Sequence, residues 1–192
     1  MTNSTRLTFL GCIFLAAGAL LLAQGPPPTE FIDAALGFRY TPPANMRDFT
    51  SVDRQSAQQK AAARDTTNAL TVLLSLRSAS DDTAADWHSV GIETYPRQKL
   101  GPVSDSDASQ TFSRWVAGNG KAIGVPSDVT IGHFHFVVSI FELREGQLVK
   151  HACIYTTVCD DRMLSLAFSA NSSDVLNSIV VSMKTFEPME HK

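Results

Sequence analysis

The sequence predicts an α+β domain that ends in a three-stranded antiparallel meander and a closing helix. Between residues 131 and 170, apolar residues alternate with smaller or polar ones, as they do on strands. The pairs Glu145-Gly146 and Asp160-Asp161 supply turn residues that divide this stretch into three strands. The 192 residues, 44% of them hydrophobic, suffice for one ordinary core and fall short of two full-size domains.

The amino end of the chain is typical of an export signal. Arg6 precedes an apolar run from Leu7 to Ala23, and residues 24–30 then form a proline-rich linker. We expect residues 1–23 to be a signal peptide that is cut after Ala23, which places the mature protein in the periplasm or outside the cell. Because the run is nearly long enough to cross a bilayer of about 30 Å, an uncleaved amino-terminal anchor is the alternative.

The single domain is expected to span residues 31–188, with a short tail at 189–192. Its first strand is predicted at Leu36–Pro43, where two prolines stop it, and a strand buried on both faces is predicted at Ala69–Leu76. Between them, the stretch Asp53–Arg64 is rich in alanine and glutamine and favours a short helix.

A second helix is predicted over Ser80–Tyr95. Ser80 and the two aspartates after it offer N-cap groups and acidic charge for its start, and Pro96 ends it. Trp87 and His88 would lie on this helix, where a packing role is favoured for the tryptophan.

A third short helix is predicted around Phe112, Trp115 and Val116, which form its apolar stripe before Gly118 stops it. The helix lies within a long connection from residue 98 to residue 132 that leads to the meander.

The two turns of the meander set its register. Ile140 is expected opposite His151 across the first hairpin, and Cys153 opposite Phe168 across the second. One sheet face then carries large apolar residues and must be core: Phe134, Phe136, Val138, Ile140, Cys153, Tyr155, Leu164, Leu166 and Phe168. The other face carries smaller and more polar residues: His133, His135, Val137, Ser139, Phe141, Ala152, Ile154, Thr156, Val158, Met163, Ser165, Ala167 and Ser169.

A helix must cover the apolar face, and the closing segment suits that task. Ser172 and its neighbours provide the N-cap, and apolar residues then repeat at helical spacing: Leu176, Ile179, Val180 and Met183. Cys153 and Cys159 would be about 20 Å apart along an extended strand, so we expect free, buried thiols and no disulfide between them.

His133 and His135 are the candidate metal ligands, because residues i and i+2 of a strand share a face. Zinc needs at least three protein ligands, and the expected cross-strand neighbours, Val158 and Thr156, do not bind zinc. Strand alternation is therefore the favoured explanation of the pair, and no metal or cofactor is expected. The alternative is a small-molecule or metal-dependent enzyme that uses the face carrying the two histidines.

Several classes of function are disfavoured by composition and motif. The net charge is −3 and no lysine or arginine run occurs, so a nucleic-acid partner is not expected. No nucleophile elbow, phosphate loop or paired-cysteine framework is present, so no catalytic residue is assigned. Asp160-Asp161 is explained by turn chemistry, and the glycosylation pattern at Asn171 coincides with the start of the closing helix.

The order of these elements resembles that of a known family. The stretch Gly37–Pro43, a helix after the strand "TVLLSLRS", the meander and a last helix that ends at Ser182–Phe186 resemble the PsbP-like, or Mog-like, α/β/α sandwich. The resemblance covers roughly Phe31 to Glu187. It implies an antiparallel sheet with helices on both faces, in a family whose members mostly work by binding and offer no catalytic residue to carry over.

The sequence therefore favours an exported, non-enzymatic domain that binds a protein or a cell-envelope component. The supporting features are the lack of a catalytic motif, the small-residue sheet face, which is expected to be exposed and open to a partner, and the long connection from Gln98 to Gly132. Membrane contact is expected only through residues 7–23, if that segment stays uncleaved.

Overall fold

The computed structural model describes residues 29–63 and 70–189. Within these ranges, seven strands form one antiparallel sheet and three very short strands form a second sheet. The expected signal peptide, most of the linker, Arg64, Ala69 and the last three residues lie outside the described residues. No helix of the described ranges has the length and apolar character needed to cross a membrane.

The strands follow the chain in this order: β1 (Phe31–Asp33), β2 (Phe38–Tyr40), β3 (Met46–Asp48), β4 (Thr71–Ser78), β5 (His88–Pro96), β6 (Lys121–Ile131), β7 (Phe134–Glu145), β8 (Leu148–Cys159), β9 (Arg162–Ala170) and β10 (Glu187–Pro188). The helices are α1 (Thr50–Ala63), α2 (Asp105–Ala117) and α3 (Ser173–Val180). Short 3-10 helices occur at Arg97–Leu100 and Val181–Thr185.

The strand order of the large sheet is β3-β4-β5-β9-β8-β7-β6, and all neighbours are antiparallel. The small sheet has the order β1-β2-β10. The predicted meander is thus strands β7, β8 and β9, with β9 at the centre of the large sheet. β6 is added to its outer side as the long edge strand.

The main core lies between the large sheet and α3. Ser172 caps α3, because its Oγ accepts a hydrogen bond from the backbone N–H of Val175 at 3.2 Å. Leu176 and Ile179 of α3 are buried against β5, β8 and β9. The predicted closing helix and its covering role are therefore confirmed.

The small sheet closes one end of this core with aromatic side chains. The ring of Phe38 stacks on that of Phe186 at a centroid distance of 4.9 Å, and Phe134 meets Phe186 edge to face at 5.2 Å. The predicted first strand, Leu36–Pro43, is shorter in the structure and spans only Phe38–Tyr40.

The predicted core face of the meander is largely correct, with one exception. Phe134, Phe136 and Phe168 are buried, and Val138 and Tyr155 are partly buried. The prediction that Ile140 belongs to the core is wrong, because this residue is 47% exposed. It lies opposite Ile123 of the edge strand β6, whereas α3 packs on β5, β8 and β9.

The register of the second hairpin is confirmed, since Cys153 lies opposite Phe168. The register of the first hairpin is wrong by two residues: Ile140 faces Cys153, and His151 faces Glu142. The turn is formed by Gly146 and Gln147, not by Glu145 and Gly146, and Gly146 has a φ of 63°. A shift of two residues keeps each side chain on its face, which is why the face assignment survives.

The opposite sheet face is covered by α2, so the expectation that it stays open to a partner is wrong. Ser109 and Ser113 on α2 are buried where the helix meets β7 and β8. Thr156 Oγ1 donates a hydrogen bond to the carbonyl of Ser109 at 3.0 Å, and the hydroxyls of Ser113 and Ser139 are 3.2 Å apart. Small side chains on both surfaces let the helix approach closely, and helices lie on both faces of the sheet.

The prediction that Gln98–Gly132 is mainly a long connection is also wrong, because most of this stretch is regular secondary structure. It contains all of α2, which Phe112 and Gly118 had indicated, and all of β6. The chain therefore uses this stretch to cover one sheet face and to supply an edge strand.

The predicted helix over Ser80–Tyr95 is wrong, because its second half is β5. Val90, Ile92 and Thr94 alternate along this strand and are buried, so packing in the sheet prevails over the local capping signal. Trp87 and His88 accordingly stand at the start of a strand and not on a helix.

Three further predictions are confirmed, although the bounds of the predicted helix and strand shift by a few residues. The helix predicted at Asp53–Arg64 begins earlier, at Thr50, whose backbone N–H donates to Asp48 Oδ1 at 2.7 Å. The strand predicted at Ala69–Leu76 is β4. Cys153 and Cys159 are free and buried.

Truncation of two residues from the predicted core face tests this arrangement. Leu166→Ala should lower the free energy of unfolding by about 2 to 5 kcal/mol, because its side chain is fully buried. Ile140→Ala should cost under about 1 kcal/mol, because nearly half of its side chain surface already contacts solvent. Denaturant melts of the two variants measure this, and equal losses would contradict the described covering by α3.

Candidate functional site

The two candidate histidines lie at the end of the β6–β7 hairpin and do not share a strand face. His133 belongs to the turn, with its ring 4.3 Å from that of Phe134. His135 is on β7, opposite Thr130 of β6, and its Nδ1 is 3.1 Å from Thr130 Oγ1. The expected neighbours on β8 are therefore wrong, since Thr156 lies opposite Val137.

Both imidazoles are exposed, and the structure brings no cluster of ligands to them. Across residues 29–63 and 70–189, no three His, Cys, Asp or Glu side chains are grouped as a metal ion requires. The arrangement can offer at most two separate imidazoles to a ligand in solvent.

A more distinctive surface lies along β6, the exposed edge strand of the large sheet. Four large aliphatic side chains are exposed there, and we call them the β6 edge surface: Ile123 (40%), Val125 (91%), Val129 (36%) and Ile140 of β7 (47%). Among the described strands, β6 pairs with β7 on one side only, so its other side presents backbone N–H and C=O groups that no described strand pairs with.

A wide bulge interrupts β6 at the middle of this surface. Ile123 pairs with Ile140 and Ser127 pairs with Val138, so three residues of β6 stand opposite Ser139 alone. The first of the three, Gly124, has a φ of 73°, which glycine adopts without strain.

The bulge opens a small pocket beside α2. The pocket has a volume of about 60 Å³ and is lined by Gln110, Arg114, Ala122, Ile123, Gly124, Pro126, Ser139, Ile140 and Phe141. Sites for drug-sized molecules begin at roughly 300 Å³. This pocket can therefore accept one inserted side chain, and its lining includes the guanidinium of Arg114 and the amide of Gln110.

A second unusual location is Glu93, near the middle of β5. It lies between Val72 of β4 and Ser165 of β9, and no hydrogen bond or ion pair from another described residue reaches its carboxyl group. Burial raises the pKa of Glu93 to about 7, and the negative charge of Asp53 acts in the same direction.

Asp53, in contrast, is firmly held by neighbouring groups. Its carboxylate accepts a hydrogen bond from Ser75 Oγ at 2.6 Å and pairs with the guanidinium of Arg77 at 2.8 Å. The guanidinium lies over the ring of Phe49, 4.3 Å from its centroid. The guanidinium of Arg77 thus forms its ion pair with Asp53, and no described cation pairs with the carboxyl group of Glu93.

The other polar features of the sequence have structural roles. Asp160 and Asp161 form the turn between β8 and β9, and Asp160 has a φ of 52°. Asn171 Nδ2 donates to the carbonyls of Asp82 and Ala84 at 2.8 and 2.7 Å, so this side chain fixes the loop before β5. Trp87 is buried and packs its ring 4.5 Å from Lys150 Nζ.

Sequence reasoning missed both the β6 edge surface and Glu93. The run Lys121–Ile131 carries a β-branched pattern broken by Gly124 and Pro126, which is a signal for a bulged edge strand. Glu93 was placed on a helix, although the alternation from Ser89 to Tyr95 marks a lone carboxyl group within a strand.

Comparison with known proteins establishes the fold. No protein-family model matches the chain, and no curated protein matches its sequence. The chain is similar to the cyanobacterial PsbP protein CyanoP from Synechocystis sp. PCC 6803, with a TM-score of 0.55 and 10% identity over 89% of this chain and 98% of that one. The protein has a PsbP-like fold, and the resemblance predicted from its sequence is confirmed.

Two other solved structures show weaker likeness. LpqN, involved in cell envelope biogenesis of Mycobacterium tuberculosis, has a TM-score of 0.41 and 9% identity over 63% of this chain and 79% of that one. A protein from Bacteroides thetaiotaomicron has a TM-score of 0.45 and 12% identity over 84% of this chain and 48% of that one.

Replacement of Glu93 by Gln should stabilise the protein at alkaline pH and have little effect in acid. An unfolded glutamate has a pKa of about 4.3, so between pH ~4 and ~7 the folded state keeps a proton that the unfolded state has lost. The free energy of unfolding of the wild type therefore falls as pH rises through this window, by up to roughly 3 kcal/mol.

Denaturant melts at a series of pH values measure this difference. Asp128→Asn, which removes an exposed carboxyl group on β6, controls for the loss of one negative charge. An effect of Glu93→Gln that is the same at every pH would show that Glu93 is not held in the environment described.

Proposed function

We propose that the protein is an exported, non-enzymatic domain that binds another protein, and that an extended segment of this partner pairs with β6. The observation that carries the proposal is the β6 edge surface, where exposed aliphatic side chains lie beside an unpaired strand edge. Export is supported by the apolar run from Leu7 to Ala23 that follows Arg6.

An edge strand is a ready template for an added strand, because its outer N–H and C=O groups form a ladder with any extended chain. Long edges are usually blunted by charge, proline or a bulge. The strongest interruption of β6 is at its middle, at Gly124 and Pro126, and residues 127–131 continue as a regular strand paired to β7 that carries one exposed charge, Asp128. This regular part, with Val129 exposed, suits a partner strand.

The aliphatic side chains and the pocket would add selectivity to the backbone pairing. Ile123 and Ile140 lie directly opposite each other on β6 and β7 and form an apolar step beside the edge. The pocket at the bulge, which Arg114 helps to line, can take one side chain of the partner. Alternate side chains of the added strand would thus contact this apolar surface and the pocket and determine specificity, as in other cases of strand addition.

Pairing with a second copy of the chain is disfavoured by the same bulge. A symmetric antiparallel pairing centred on β6 would place Pro126, at the midpoint of Lys121–Ile131, against its own copy. Proline has no N–H to donate, and the bulges of both copies would meet at the two-fold axis. A different protein whose strand matches the regular part of β6 avoids this conflict.

The enzyme alternative would require a base, a nucleophile or a third ligand next to His133 and His135. The ring of Phe134 lies beside His133 and the hydroxyl of Thr130 lies beside His135. Neither group turns two exposed imidazoles into an acid–base or metal site, and binding remains the better supported function.

Site-specific photo-crosslinking in the native cell tests the proposal. A photoreactive amino acid at Val125 should yield one adduct with a defined protein, because this side chain is almost fully exposed beside the strand edge. The same amino acid at Val181, which is 53% exposed on the 3-10 helix after α3, is the matched control and should not yield that adduct.

Lysine substitutions distinguish specific binding at the β6 edge surface from non-specific crosslinking of exposed apolar residues. Ile123→Lys with Ile140→Lys should abolish the adduct, whereas Val181→Lys should leave it unchanged, since all three side chains are exposed and their replacement spares the core. An adduct with a second copy of this chain, or equal adducts from Val125 and Val181, would overturn the proposal.

A further inference from the structure

Among the described residues, a narrow strip of the large sheet lies between the parts that α1 and α2 cover. α1 packs on β4, and α2 packs on β7, β8 and β9, while β5 lies between β4 and β9 in the sheet. At Gly91 of β5, an added Cβ atom would meet nothing within 4 Å. We call this strip the β5 cleft, and its floor consists of Gly91, Glu93, Ser165 and Ala167, paired across β5 and β9.

The cleft floor contains a carboxyl group without a counter-ion. Glu93 receives no hydrogen bond or ion pair from another described residue, and the nearby carboxylate of Asp53 is already bound by Arg77 and Ser75. A partly buried carboxyl group of this kind destabilises the ionised state of the folded protein. Such a group is a common feature of binding sites, where a ligand supplies the missing charge.

The residue opposite Glu93 presents a second unsatisfied polar group. Ser165 is fully buried, and no described residue forms a hydrogen bond with its Oγ. It lies on β9 directly across from Glu93 and on the same sheet face. A buried hydroxyl without a partner destabilises the folded state, and one donor placed between Ser165 Oγ and the carboxyl group of Glu93 could bond to both.

One side of the cleft is aromatic. Tyr95 follows Glu93 on the same face of β5, and its ring lies 4.6 Å from that of Trp115 and 6.0 Å from that of Phe112, both on α2. Aromatic faces attract cations and cover aliphatic chains. The cleft therefore combines the carboxyl group of Glu93, the hydroxyl of Ser165 and an aromatic wall.

We propose that the β5 cleft binds a ligand with a primary ammonium group on an aliphatic stem. Glu93 is its counter-ion, Ser165 Oγ is a second acceptor, and the ring of Tyr95 lies along the stem. An ammonium group carries three donors and suits this pair of acceptors. A divalent metal ion fits less well, because no three His, Cys, Asp or Glu side chains of the described ranges are grouped around one point.

This binding site is independent of the β6 edge surface. β5 is separated from β6 by β9, β8 and β7, and Glu93 faces the side of the sheet that carries α1 and α2. Failure of one site in its experiment therefore leaves the other untouched.

A titration with n-butylammonium chloride, followed by NMR of backbone amides at about pH 8, tests the proposal. The probe has one ammonium group and a short aliphatic stem. Saturable shifts should centre on Gly91, Glu93, Ser165 and Ala167, with a Kd on the order of 1 mM. Sodium chloride at equal ionic strength is the blank, and n-butanol is the neutral control of equal length.

Two variants identify the groups involved. Glu93→Gln should weaken binding of the ammonium probe by about tenfold or more, and Ser165→Ala should weaken it several-fold. The amide spectrum of each variant shows directly whether it is folded. Shifts that persist in Glu93→Gln, equal binding of n-butanol, or no saturable shift in the wild type would each overturn the proposal.

Discussion

The structure depends on the burial of β9 on both of its faces. β9 is the central strand of the large sheet, and Leu164 and Leu166 lie on one face under α3 while Met163 lies on the other under α2. Each large side chain buried in this way contributes about 1.5 to 3 kcal/mol, so the two covered faces dominate the stability of the domain. The helices are therefore placed where they cover β8 and β9, and the outer strands receive less protection.

The β6 edge surface and the β5 cleft both lie where the helices stop covering the large sheet. At one edge, β6 lies beyond the reach of α3, so that Ile140 is exposed although it continues the apolar row of the core. Nearer the other edge, α1 and α2 pack on different strands and leave open space above Gly91 of β5, beside the largely buried carboxyl group of Glu93. Exposed apolar surface and an unneutralised carboxyl group both lower stability, and such features are typical of binding surfaces.

The parts of the fold that were predictable are those that local pattern and core burial determine together. The alternation from residue 131 to 170 and the N-cap at Ser172 gave the meander, its core face and the closing helix. The helix predicted over Ser80–Tyr95 failed because capping groups are a local signal, while β5 is a strand through its pairing with β4 and β9. The strand pattern from Ser89 to Tyr95 marks Glu93, but its burial could not be predicted in this way, because its surroundings come from α1, β4 and β9, which are distant in the chain. The exposure of Ile140 likewise depends on which strands α3 covers and not on its own neighbours in the chain.

Native-state hydrogen exchange of single backbone amides tests the central claim, which is that β9 and its neighbours hold the domain together while β6 is a loosely held edge for recognition. In the free protein, amides of β8 and β9 should exchange only through global unfolding, and the amides of β6 that bond to β7 should exchange through much smaller openings. Exchange of β6 with the same free energy as β9 would contradict this account, because β6 would then be an integral part of the core.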